Sequence, residues 1–164
     1  MLQKKQLSPR RSIIAVLTGG FLGTITRYLL SVLVQSWLGK SLPYDIFFIN
    51  ITGAFALAFI TALADTTFLM GPTRRLFINV GFLGAYTTFS SLALGDVQLF
   101  AGGRTFAAVL YLFLSIFCGI IAVFMGEYAG MCFIRAVRSA RMQRAHYIAS
   151  LMQKRLDELD NIRV

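Results

Sequence analysis

Four apolar stretches, separated by short polar segments, constrain what this chain can fold into. A helix that crosses the hydrocarbon core of a bilayer needs about 20 predominantly apolar residues. Apolar residues make up 57% of the 164 residues and charged residues only 14%. We therefore predict an all-α integral membrane protein with four transmembrane helices, at about residues 13–38, 46–64, 76–100 and 105–134.

The two ends of the chain differ from this membrane domain in composition. Residues 1–12 form a basic N-terminus, and residues 135–164 form a basic tail with an arginine at every third position from Arg135 to Arg144. Apolar residues recur in the tail at helical spacing, which predicts an amphipathic cytoplasmic helix. Because the basic residues flank apolar spans, we expect membrane lipids, and not nucleic acid, as their partner.

The distribution of Lys and Arg predicts the orientation of the chain. With four spans, the N-terminus, the middle loop and the tail share one side, which holds 13 Lys and Arg residues. The opposite side holds 2, Lys40 and Arg104, and Arg27 lies inside the first span. Since cytoplasmic loops carry the excess of basic residues, we predict a multi-pass plasma-membrane protein with one fixed orientation and both termini in the cytoplasm.

Polar residues within the spans are candidates for function. Arg27 lies about 20 Å along the first helix from Ile13, where a charge needs water, an anion or a partner unless it snorkels to the far interface. Asn50 lies within the second span, and Tyr111 and Ser115, four residues apart, share one face of the fourth. These three side chains could either bond a neighbouring helix or line an ion pathway.

Acidic residues are absent from the centre of every predicted span. Asp65 closes the second span, Asp96 lies near the end of the third and Glu127 lies late in the fourth. A cation or proton transporter would usually need a buried carboxylate. The membrane core is therefore expected to offer an anion hydroxyls, amides and one arginine, with no repelling carboxylate.

The segment GAYTTFSS, residues 84–91, places a glycine and four Ser or Thr residues near the middle of the third span. Irregular backbone is tolerated at membrane depth only where it is buried in protein or lines a cavity. One interpretation is a break, whose two helix ends present carbonyls to a cation and amides to an anion. The other is an intact helix whose hydroxyls bond to their own preceding turn.

Three motifs together resemble those of the Fluc/CrcB fluoride channels. The run GFLGAYTTFSS is similar to the family's GxxGGxTTFS, GGFLGTITRYLLS to its first-helix GGxxGxxxRyxxS, and NITGAF to its second-helix NxxGsF. The motifs occur in the family's order. The resemblance covers roughly residues 13–133 and leaves the basic tail outside.

The resemblance implies an antiparallel dimer of four-helix subunits with a broken third helix and two fluoride pores. It implies that the backbone carbonyls of Gly84 and Thr87 hold a structural sodium ion at the dimer interface. It also implies an ion pathway with Arg27 at an aqueous vestibule and, along the pore and its polar track, Asn50, Phe89, Ser90, Ser91, Tyr111 and Ser115. The implied function is passive, fluoride-selective export that prevents toxic accumulation.

The chain departs from the family pattern at two places. Leu92 stands where a second phenylalanine is usual, and Asp45-Ile46-Phe47 replaces the Gly-Thr-Leu before the second-helix motif. Because Leu92 has no polarised ring edge, one of the two pores could be altered or inactive. The 13 to 2 charge bias opposes insertion in both orientations, so we expect one half of an obligate heterodimer with an oppositely oriented paralogue.

Two other functions remain open. A small multidrug-resistance-type transporter is also a four-span antiparallel dimer, but it needs a glutamate in the first helix, and residues 13–38 contain no acidic residue. A non-transporting scaffold subunit would explain the spans and the tail, but not the combination of Arg27, Asn50 and TTFS. An enzyme is not expected, because no nucleophile–base set, metal cluster or phosphate loop occurs.

Overall fold

The computed structural model describes residues 8–66 and 70–162, and every regular element among them is helical. Four helical stretches are long and apolar enough to cross a bilayer: Pro9–Leu38, Tyr44–Ala64, Pro72–Ala101 (the third span below) and Thr105–Met152. The predicted all-helical, multi-pass membrane protein with four spans is confirmed. The elements are α1 (Pro9–Leu38), α2 (Tyr44–Thr66), α3 (Pro72–Arg75), a π-helical segment (Leu76–Leu83), α4 (Gly84–Tyr86), α5 (Phe89–Ala101) and α6 (Thr105–Ile162).

Local signals place the junction between α1 and α2. α1 ends where Gly39, at φ 76°, donates its N–H to the Gln35 carbonyl at 3.0 Å, a left-handed position that favours glycine. α2 begins at Tyr44, two residues earlier than expected, directly after Pro43. Asp45 therefore lies in the first turn of α2, where a carboxylate complements the positive end of the helix dipole.

The chain divides into two compact units, Met1–Gly130 and Met131–Val164. The first contains α1 to α5 and α6 as far as Gly130. The second is helical to Ile162, and several of its large apolar side chains are exposed: Met142, Tyr147, Ile148, Leu151 and Met152. Some predicted features of the two ends lie outside the described residues, namely Lys4, Lys5 and Arg163 and the side chains of Lys154, Leu156 and Leu159.

Glycines bring α1 into backbone contact with the third span. Gly19 and Gly23 are both buried. A Cβ at Gly19 would overlap the carbonyl oxygen of Phe77, and a Cβ at Gly23 would overlap that of Phe82. Because lipid provides no hydrophobic drive for helix association, close van der Waals contact of this kind stabilises the bundle.

Glycines of α6 contact α2 in the same way. A Cβ at Gly126 would overlap the carbonyl oxygen of Phe55, and a Cβ at Gly130 would lie 2.8 Å from the Cβ of Ala62. Ala58 also lies at this contact, its Cβ 3.1 Å from the position of a Cβ at Gly126. Gly126 and Gly130 of α6, four residues apart, therefore form an interhelical contact with Ala58 and Ala62 of α2, also four residues apart.

Gly23→Ala should destabilise the bundle, whereas Gly119→Ala should not. The added methyl at Gly23 meets backbone that cannot rotate away, at a cost of about 1–3 kcal/mol. A Cβ at Gly119 has no atom within 4 Å, and alanine there gains up to about 1 kcal/mol of helix propensity. Thermal unfolding in detergent should show a lower Tm for Gly23→Ala only; equal Tm values for both variants would contradict this packing.

Candidate functional site

The third span is interrupted at two threonines. α4 ends at Tyr86 and α5 begins at Phe89. Between them, Thr87 (φ −79°, ψ 154°) and Thr88 (φ −152°, ψ 118°) have extended backbone. The Thr87 N–H still donates to the Leu83 carbonyl at 3.0 Å. The Thr88 N–H and C=O have no helical partner in extended backbone, and at membrane depth they need other partners.

The side chain of Asn50, on α2, bonds both backbone groups of Thr88. Its Nδ2 donates to the Thr88 carbonyl oxygen at 3.0 Å, and its Oδ1 accepts from the Thr88 N–H at 2.9 Å. In a continuous helix that N–H would donate to the carbonyl of Gly84, four residues earlier. Asn50 thus takes the donor that would otherwise bond Gly84.

The hydroxyl of Thr88 organises the start of α5. Its Oγ1 accepts the Ser91 N–H at 3.2 Å, a helix cap. It also donates to Ser91 Oγ at 3.1 Å and lies 3.2 Å from Ser90 Oγ. Three hydroxyls therefore meet beside the first turn of α5, where the N–H groups of Phe89 and Ser90 have no acceptor within the helix.

Gly53 gives α2 the space to approach this interruption. A Cβ at Gly53 would overlap Cγ2 of Thr87 and lie 3.1 Å from Cδ1 of Tyr86. Thr87 Oγ1 donates to the Leu83 carbonyl at 3.0 Å, so this one hydroxyl does bond to its own preceding turn. In the NITGAF motif, Asn50 supplies the hydrogen bonds and Gly53 supplies the close contact.

The other predicted site residues divide into exposed and buried groups. Phe89 is 78% exposed, and Gly84 and Ser90 are also exposed. Tyr111 and Ser115, on α6, are each only 8% exposed, and their hydroxyls lack a hydrogen-bond partner among the described residues. The structure therefore joins Asn50, Ser90 and Ser91 through Thr88 and leaves Tyr111 and Ser115 as a separate buried pair.

Arg27 and Leu92 take different positions from these. Arg27 is half-buried on α1, one turn from Ser31 and on the same face. Leu92 is 6% exposed and packs in a buried cluster with Tyr111, beside Ile46 and Phe47 of α2. The residue that replaces the expected ring therefore faces the core of this subunit.

A cavity of about 480 Å³ lies alongside α5. Among the predicted pathway residues, only Ser91 lines the described part of it. Its other polar lining residues are Gln35, Lys40, Ser41, Asp45, Gln98 and Arg104. Arg104 Nη1 donates to the Ser41 carbonyl at 2.6 Å and so joins the α1–α2 connection to the start of α6.

Asp45 is a buried carboxylate in the wall of this cavity. It is 4% exposed, and its Oδ2 accepts from Ser31 Oγ and, at 2.8 Å, from Gln35 Nε2. Asp96 is also buried, at 9% exposed, and its Oδ1 has no partner among the described residues. Two carboxylates are therefore buried in this subunit, but both lie near the ends of their spans, Asp45 in the first turn of α2 and Asp96 five residues before the end of α5, and not at the span centres. If the second helix is predicted to begin directly after Pro43, Asp45 falls in its first turn and becomes a candidate residue of the subunit interior.

Two further residues were not singled out from the sequence. Thr88 is the centre of the hydrogen bonds around the interruption, and only its place in the TTFS run marks it. Asn79 lies in the π-helical segment, where its Nδ2 donates to Thr61 Oγ1 at 3.0 Å and its Oδ1 is buried without a partner among the described residues. An asparagine inside the apolar run LFINVGFL is a signal that could have identified it.

Comparison with known proteins identifies the family. The family described as CrcB-like protein, Camphor Resistance (CrcB), matches residues 14–127. The chain belongs to this family. It is 40% identical over 115 residues to the fluoride-specific ion channel FluC of Roseiflexus sp. (strain RS-1), covering 70% of this chain and 93% of that protein. The proteins of the same name from Thermus thermophilus and Trichormus variabilis are each 41% identical, over 70% and 79% of this chain and 91% and 93% of theirs.

Asn50→Ala should loosen the interruption. The substitution leaves the N–H and C=O of Thr88 without partners, and each loss costs about 1–3 kcal/mol. Hydrogen exchange by mass spectrometry should show faster exchange across residues 86–91. Asn79→Ala, which also removes a buried amide, is the matched control and should leave that peptide unchanged. Equal protection of residues 86–91 in Asn50→Ala and the unsubstituted protein would contradict the pairing.

Proposed function

We propose that this chain is one subunit of a fluoride-selective channel that exports fluoride passively across the plasma membrane and prevents its toxic accumulation. The observation that carries the proposal is the double hydrogen bond between Asn50 and Thr88, which presents hydroxyls and helix amides at the interruption of the third span. Relatives at 40–41% identity bear the name fluoride-specific ion channel. The family motifs of the sequence are the ones that build this geometry.

The groups at the interruption suit a small, strongly hydrated anion. Fluoride needs hydrogen-bond donors in place of the water it loses. Ser90 and Ser91 supply hydroxyls, and the N–H groups of Phe89 and Ser90 stand at the positive end of α5. The exposed ring of Phe89 has a positive edge that an anion can approach. Tyr111 and Ser115 continue the path as a polar track, and Arg27 attracts the anion from a vestibule.

A structural sodium ion at the interface of an antiparallel dimer is part of this proposal. The carbonyl of Gly84 lacks its helical donor because Asn50 takes the Thr88 N–H, and Gly84 is exposed. We propose that the carbonyls of Gly84 and Thr87 hold the ion together with the same groups of a second subunit. Bound there, sodium would balance the negative ends of the two α4 helices, off the ion path.

The second subunit is proposed to be an oppositely oriented paralogue. A bias of 13 to 2 in Lys and Arg favours one orientation, with both termini in the cytoplasm, whereas a homodimer of antiparallel subunits needs both. Leu92, buried against Tyr111, removes a ring from one of the two pores in such a heterodimer. The hydrogen-bond donors at the interruption also argue against a non-transporting scaffold, because a scaffold would not need to present them.

Fluoride flux tests the proposal directly. Proteoliposomes with this chain and its coexpressed paralogue should release fluoride but not chloride. Asn50→Ala and Phe89→Ala should each lower the rate about tenfold or more, since one lost donor or ring contact is worth at least about 1.4 kcal/mol. Glu127→Gln, at an exposed position of α6, is the control. Absence of fluoride release from both the chain alone and the pair would overturn the channel; robust release from the chain alone would overturn only the heterodimer.

Cysteine labelling tests the orientation. Gly71 and Gly102 are exposed and lie in connections on opposite sides of the membrane domain. With Cys118 and Cys132 replaced by serine, an impermeant maleimide applied to intact cells should label Gly102→Cys fully and Gly71→Cys only after lysis. Equal labelling of the two positions in intact cells would mean that the chain inserts both ways.

A further inference from the structure

The cavity beside α5 carries a charge pattern that the proposed pathway does not use. Lys40 and Arg104 line it and are exposed, and they are the 2 basic residues on their side of the membrane domain. Asp45 lines the same cavity and is buried. An anion that enters is thus attracted by two cations at the exposed end and repelled by a carboxylate farther in.

The cavity connects these charges to the interruption of the third span. Gln98 and Ser91 both line it, and their separation of seven residues corresponds to about 10 Å along α5. Ser91 belongs to the hydroxyl group around Thr88. Asp45 precedes Asn50 by five residues, about 7.5 Å along α2. The carboxylate and the two exposed bases therefore line the same cavity as Ser91, one of the hydroxyls at which fluoride is proposed to bind.

The Asp45 carboxylate is held by contacts that do not themselves need its charge. Both donors, Ser31 Oγ and Gln35 Nε2, bond the same oxygen. An asparagine carbonyl oxygen in that position can accept both bonds, because a carbonyl oxygen has two lone pairs. Asp45→Asn is therefore a nearly isosteric change that removes the charge and keeps the local structure.

We propose that the Asp45 carboxylate limits anion occupancy of the cavity beside α5, called the vestibule below, where it acts next to Ser91 and against the attraction of Lys40 and Arg104. This inference rests on the proposed channel function and deepens it. Asp45 occupies the position at which the chain departs from the family's Gly-Thr-Leu. We therefore expect this limit on anion occupancy in chains that share the aspartate. The vestibule admits fluoride more slowly than its two bases alone would allow.

A charged thiol reagent measures the potential of the vestibule without relying on conduction. The reporter is Gln98→Cys in a background with Cys118→Ser and Cys132→Ser. Its rates are compared for the anionic 2-sulfonatoethyl and the cationic 2-(trimethylammonium)ethyl methanethiosulfonates. Asp45→Asn should raise the anionic-to-cationic rate ratio severalfold, because removing a negative charge from the wall of the same cavity favours the anionic reagent and disfavours the cationic one. Lys40→Gln should lower the ratio, and Glu127→Gln should leave it unchanged.

Fluoride release from the assembled channel completes the test. Asp45→Asn should speed it severalfold, with an unchanged Tm and gel-filtration profile showing that the fold is kept. An unchanged rate ratio, or a changed ratio with unchanged fluoride release, overturns the inference while the channel function stands. If no variant releases fluoride but the ratio still changes, the channel function fails and the charge assignment of the vestibule is supported.

Discussion

The paired hydrogen bonds between the Asn50 amide and the Thr88 backbone hold the rest of the site in place. An unpaired backbone group in a membrane interior costs several kcal/mol, so a span can leave the helical path only where another element supplies both a donor and an acceptor. One asparagine supplies both, at 3.0 and 2.9 Å. Gly53, one turn away, allows the approach. Together they fix where the carbonyl of Gly84 and the hydroxyls of Ser90 and Ser91 become available.

The four spans could be predicted from hydropathy. In a bilayer, the N–H and C=O groups of a lipid-exposed segment must hydrogen-bond within its own helix, so each long apolar segment is helical. The same rule marked GAYTTFSS as a segment that needs an explanation. This rule did not identify the side chain that bonds the segment. Asn50 and Thr88 are 38 residues apart, and a buried amide in a membrane protein has many possible hydrogen-bond partners. Thr88, at the centre of the bonds, was therefore overlooked in favour of its neighbours.

Other features depended on details that periodicity does not carry. The π-helical register of Leu76–Leu83 has the same apolar composition as an α-helix, so nothing in the pattern distinguishes the two. A two-residue error at the start of α2 placed Asp45 in a loop and hid a buried carboxylate, since helix boundaries are less certain than helices. The direction of Leu92 follows from packing against α6, which composition alone does not determine.

The two departures from the family pattern lie in one packing cluster. Its buried part comprises Leu92, Leu99, Ala108 and Tyr111, and Ile46 and Phe47 pack against it. Relative to the family motifs, α5 has lost a ring at Leu92, and α2 has gained one at Phe47, in place of leucine. Cores tolerate paired changes that keep their total volume, and the Phe47 ring packs against the cluster that contains Leu92 and Tyr111. The ring of Phe47 lies on α2, the helix that carries Asp45, so both departures from the family motifs act on the packing between α2, α5 and α6.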